Sequence, residues 1–235
     1  MSSILFLGLL IGMQHALEAD HMAAVSSIAA RQSSVKRIVF HGALWGIGHT
    51  LALMAFAGSV LAFGLEIGDQ MAGWLEFGVG AMLVLLGGHV LYRLYRDRIH
   101  FHIHKHGNLR HFHAHSHAGE RTEHDTSRHD HQHREGLAAR TLLVGVVHGM
   151  AGSAALLILT TAAQTSVVDG MVYVVIFGIG SVLGMAALSA IIAVPFVYSA
   201  KYLNWANNGL QLVVGTATIM LGGLVMFRHV VPEIL

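Results

Sequence analysis

Six long apolar stretches divide this chain of 235 residues, at 4–30, 38–63, 71–92, 137–163, 167–198 and 205–227. A bilayer's hydrocarbon core takes about 20 mainly apolar residues as helix. Each of these runs is long enough for one crossing as helix. They predict an all-α polytopic membrane protein with six transmembrane helices. Composition agrees: 54% of residues are hydrophobic and 11% charged, against about 25% charged in soluble domains. The lipid bilayer is therefore the first expected partner, and a formal charge of +1 gives no reason to expect nucleic acid.

The first run lacks a basic leader and continues past any plausible cleavage site, so no cleavable signal peptide is expected. Trp74 and Trp205 open the third and sixth runs, where interfacial aromatics are favoured. Pro195 is expected to kink or end the fifth. With the third connection counted from Arg93 to Arg140, thirteen of the 14 Lys and Arg fall after the first, third and fifth runs. The positive-inside rule then places both termini outside and the long central connection in the cytoplasm of an inner or plasma membrane.

Three domains follow: 1–95, a histidine-rich loop at 96–136, and 137–235. The first and last resemble each other. "LLIGMQHALEADHMAAVSSIAA" from residue 9 aligns without gaps on "LLVGVVHGMAGSAALLILTTAA" from residue 142. "GIG" at 46–48 recurs at 178–180, and "LGGHVLYR" at 86–93 resembles "LGGLVMFR" at 221–228. The offsets are 133, 132 and 135 residues, in order. Three spans per repeat is an odd number, so the halves must insert with opposite orientation. That predicts a 3+3 inverted repeat, an architecture of secondary transporters with the site near mid-membrane.

The halves differ in their ionisable groups. Glu18, Asp20, His21 and His49 align with Ala151, Ser153, Ala154 and Ser181, whereas His15 keeps its counterpart in His148. An ionised Asp at a helix centre costs about 2.5–3.5 kcal/mol on the insertion scale. Apart from Arg140 in the first turn of the fourth run, no basic residue inside a span is available to pair with it. A divalent cation neutralises carboxylates and accepts neutral imidazoles, which makes metal handling the stronger reading over a hydrogen-bond network or proton relay. The candidate ligands are His15, Glu18, Asp20, His21, His49, His148 and, more distantly, His41. Spacing imposes a condition. On a regular helix His15 and His21 point about 120° apart, so one ion can meet both only if the helix is distorted or other helices contribute. His41 and His49 lie about 12 Å apart along their helix, successive points on one path rather than one site.

The loop carries His100, His102, His104, His106, His111, His113, His115, His117, His124, His129, His131 and His133. Alternating His-X-His without an apolar core predicts disorder in the absence of metal. Imidazole suits Ni, Co, Cu and Zn, and with no cysteine in the chain soft Cu(I) is disfavoured. A metal buffer, sensor or delivery segment is expected, with a cytoplasmic metallochaperone as its natural partner.

The residues resemble the nickel/cobalt transporter (NiCoT/NicO) superfamily. Its His-x4-Asp-His motif, read as HA-x-[DE]-ADH, is matched by His15, Glu18, Asp20 and His21. "WGIGHT" with His49 resembles the Gly-His motif of the next helix. "VHGMAGSAAL" with His148 is similar to the six-span, UreH-like branch, and the histidine-rich loop is similar to that of six-span efflux members. The resemblance implies Ni²⁺ or Co²⁺ as transported ion, with no permanently bound cofactor. Eight-span uptake members carry a later acidic motif where this chain reads "HGMAGSAA", so import is not implied.

An enzyme is the competing class. The faint likeness to an intramembrane serine protease fails, because Ala151 precedes Gly152-Ser153-Ala154 and the sixth span contains no internal histidine base. No catalytic residue is assigned. A metal-sensing accessory protein for urease or hydrogenase maturation, or a Zn²⁺ transporter, are the alternatives. Binding is expected to weaken as imidazoles protonate below about pH 6.

Overall fold

The structure is a computed structural model that describes residues 2–30, 32, 34–63, 68–96, 99–106, 109–116, 134–151 and 166–230. These residues form seven helices and one two-stranded sheet. In chain order they are α1 (Ser2–His15), α2 (Ala19–Ala29), α3 (Val35–Phe63), α4 (Asp69–Arg96), β1 (Ile99–His106), β2 (Leu109–Ser116), α5 (Arg134–Ala151), α6 (Val167–Tyr202) and α7 (Asn204–Val230).

Four helices, α3, α4, α6 and α7, are long and apolar enough to cross a membrane. They correspond to the second, third, fifth and sixth apolar runs. The first run is two helices rather than one, interrupted between His15 and Ala19. The fourth run begins in α5, and its second half, from residue 152, lies outside the described residues. Pro195 does not end the fifth run, since α6 continues to Tyr202. Large apolar side chains such as Leu85, Ile191 and Met220 face outward, and Trp74 and Trp205 are exposed near the N-terminal ends of α4 and α7. This is the distribution expected where the solvent is lipid with polar interfaces.

α3 packs on both α5 and α6, α1 packs on α6, and α4 pairs with α7. Small residues set these approaches, because backbones in lipid associate by close packing rather than by the hydrophobic effect. A methyl group at Gly12 would overlap the Phe177 carbonyl oxygen of α6. One at Gly145 would overlap the Trp45 carbonyl oxygen of α3. α4 and α7 meet where Gly80 faces Gly222 and Gly87 faces Gly215. The short α2 sits inside this frame, against α6 and α7. It contributes Ala24, Val25 and Ile28 to a buried cluster with Trp45, Leu83 and Met185.

The loop departs from expectation at 99–116. These residues pair as an antiparallel hairpin instead of lacking regular structure. Alternation explains it: a period of two suits a strand. The backbone register sets position 100 opposite 115, 102 opposite 113 and 104 opposite 111, each a histidine pair, and 106 opposite Leu109. His117, His124, His129, His131 and His133 lie outside the described residues.

Candidate metal site

The interruption between α1 and α2 builds the site. Leu17 N–H donates to Gln14 O (2.9 Å) and Glu18 N–H to His15 O (3.1 Å), closing α1 with tight turns. Glu18 is then extended (φ −65°, ψ 151°) as the residue that starts α2. No proline or glycine lies between Gln14 and Ala19, so the break rests on what the surrounding helices provide. Non-helical backbone at membrane depth is tolerated where protein encloses it. The break also solves the geometric problem of the motif. The rings of His15 and His21 lie 4.4 Å apart, centroid to centroid, which a continuous helix would not allow.

Around this break, four buried imidazoles and one carboxylate converge. His21, His49 and His148 are completely buried, and His15 is 3% exposed. α1 brings His15, α2 Asp20 and His21, α3 His49, and α5 His148. His15 Nε2 is 3.3 Å from His49 Nε2. Asp20 bridges two rings, with Oδ1 2.9 Å from His21 Nδ1 and Oδ2 3.1 Å from His148 Nε2. Asp20 also lies in the first turn of α2, where exposed backbone N–H groups favour an anion. Its Oδ1 accepts from the His21 backbone N–H at 2.8 Å.

The ligand-bearing atoms fall into two sets, His15/His21/His49 and Asp20/His21/His148, with all atoms of a set within 4.8 Å of one another. His21 Nε2, His49 Nδ1 and His148 Nδ1 are buried without a hydrogen-bond partner. Leaving such a group unpaired costs about 1–3 kcal/mol. Neutral imidazole and carboxylate are the donor set of a borderline divalent cation.

Glu18 and His41 take other places. The Glu18 carboxylate accepts from His15 Nδ1 at 2.8 Å and is itself 44% exposed. It orients His15 rather than joining either ligand set. A carboxylate on Nδ1 fixes that nitrogen as the donor and leaves Nε2 for an ion. His41 lies two turns from His49 along α3, where its Nδ1 meets Thr141 Oγ1 at 2.9 Å. It lines a separate small cavity with Gln32 and Arg140. Two aromatic residues enclose the site, and neither was expected there. Trp45 is fully buried, with its ring 5.3 Å from those of both His21 and His148. Phe177 packs 5.4 Å from His15. Trp45 lies one helical turn before His49, and each aromatic immediately precedes a "GIG"; that spacing was the available signal.

One curated relative covers nearly the whole chain. The urease accessory protein UreH of Bacillus sp. (strain TB-90) is 32% identical over 218 residues, 92% of this chain and 88% of its own length. This chain belongs to the UreH family. The UreH-like resemblance of the sequence motifs is thereby shown across the membrane helices and not only in HALEADH. No family model matches, and no solved structure does. UreH is described as an accessory protein to an enzyme, and this UreH-family chain is not itself an enzyme.

Proposed function

We propose that this chain carries Ni²⁺ or Co²⁺ across the membrane through the buried cluster of His15, Asp20, His21, His49 and His148. The observation that carries this reading is the convergence of four buried imidazoles and a carboxylate at a broken helix among long apolar helices. Intramembrane ionisable groups are expensive and mark ion pathways. Discontinuous helices at the centre of a repeat interface are how transporters present backbone and side chains to an ion. A urease accessory role for the Bacillus relative fits a chain that supplies nickel.

Six crossings accommodate the described helices if α1 and α2 make the first together and α5 begins the fourth. Packing supports the inverted repeat. With the sequence offsets of 132–133 residues, Gly12 against Phe177 exchanges with Gly145 against Trp45. With the offset of 135, Gly80 against Gly222 exchanges with Gly87 against Gly215. In this reading the two halves rock about the cluster, and a hydrated ion trades water for imidazole and carboxylate at mid-membrane. The histidine-rich loop gathers or buffers ions on the cytoplasmic side.

The test is uptake of radiolabelled Ni²⁺ and Co²⁺ by proteoliposomes, with Zn²⁺ as competitor. Flux above that of empty vesicles is expected, and it should disappear in a His15→Ala/His21→Ala double variant. A metal-sensing accessory protein would bind Ni²⁺ and move none. Preferential Zn²⁺ flux would replace the ion but keep the site.

A further inference from the structure

Resting on that transport reading, we infer that His21 is a hand-over ligand: a single ion passes between the His15/His21/His49 set and the Asp20/His21/His148 set with His21 common to both. The two sets share His21 and no other residue. Among the described residues, neither set contains both His15 and His148, or both Asp20 and His49. An ion bound at about 2.1 Å needs its ligand atoms within about 4 Å of one another. Each set can close to that with small side-chain shifts, whereas one position serving all five residues is not offered.

His21 lies between the sets. Its ring is 4.4 Å from His15, 5.1 Å from His49 and 4.3 Å from His148. Its Nδ1 faces Asp20, and its Nε2 has no partner. The sets also differ in charge. One contains a carboxylate and holds a dication firmly; the other is all imidazole and holds it less. Conduction needs sites that are attractive enough to enter and weak enough to leave. An ion changing sets breaks its bonds to one pair of residues as it forms bonds to the other, and it is never without a protein ligand. The ion keeps its 2+ charge, and no proton or electron moves. With Nδ1 held by Asp20, His21 offers a single nitrogen, Nε2, so the two sets cannot be filled together and the cluster takes one ion.

The experiment uses the full-length chain with the twelve loop histidines changed to glutamine, so that the loop contributes no ions, and Co²⁺ as the probe. Binding stoichiometry, the Co²⁺ visible spectrum and proteoliposome flux are read together on monodisperse protein. One Co²⁺ per chain is expected. Asp20→Asn and His49→Asn should each still bind one Co²⁺, with different spectra and affinities within about tenfold of the parent, because each leaves one set sufficiently complete. Each should lose flux by at least tenfold, because each removes one end of the exchange. His21→Asn should lose binding and flux together. Two Co²⁺ per chain, loss of binding in Asp20→Asn or His49→Asn, or retained flux in either, would overturn the hand-over. Absence of Co²⁺ binding in the parent chain would instead overturn the transport reading on which it rests.

Discussion

At the scale of single residues, the site depends on contacts that hold its rings in place as much as on the ligands. Glu18 shows this best. Its carboxylate accepts from His15 Nδ1 at 2.8 Å, which keeps His15 Nε2 turned toward His49. Partners of this kind are worth about 10–100-fold in metal affinity. Glu18→Gln should therefore lower Ni²⁺ affinity by roughly that factor without removing a ligand, as isothermal titration of purified protein would measure. Unchanged affinity would leave Glu18 with no role in orienting His15. Trp45 is the counterpart on the apolar side: it fills the space beside His21 and His148 and keeps the cluster dry, where charge interactions are stronger than in water.

At the scale of elements, two segments differ from the regular structures their sequences suggest. The first apolar run breaks at its most polar point. The turn at 15–18 exchanges a stretch of helical hydrogen bonding for the approach of His15 to His21. The second segment is the hairpin at 99–116, whose backbone register sets six histidine positions opposite one another in three pairs. Deleting residues 100–133 should leave proteoliposome flux within about twofold while lowering the number of Ni²⁺ ions bound per chain at saturation. Abolished flux would make the loop part of the path.

At the scale of the whole molecule, the charge distribution and the helix packing make separate claims. Thirteen of 14 basic residues on one side predict a cytoplasmic loop, with Gly68 outside. The chain has no cysteine, so single-cysteine labelling needs no prior removal of native thiols. A membrane-impermeant maleimide added to intact cells should label Gly68→Cys and spare Ser127→Cys. The reverse pattern would invert the orientation. The pairing of α4 with α7, and of α1 and α5 with the helices of the opposite half, gives the molecule a frame in which the first half supplies four of the five candidate ligands. The second half contributes His148 and the close glycine approaches that seat it.

Apolar runs, basic-residue asymmetry and the offset repeats determined by themselves that the chain crosses a membrane and where its polar groups must gather. These are properties of composition and order, and the bilayer reads them directly. HALEADH and His49 stood out as candidate metal-handling residues for the same reason: ionisable groups in lipid need a function to offset their cost. Only the tertiary structure decided which of them meet. A helical wheel separates His15 from His21, and no local signal such as proline marks the break that unites them. The break is stable because α3, α5 and α6 enclose it, a contribution from residues distant in the chain. The same packing drew His148 in, moved Glu18 to a supporting place, set His41 apart with Thr141 and put Trp45 against the rings. Sequence distance carries no information about such contacts, because they are made where helices from opposite halves cross.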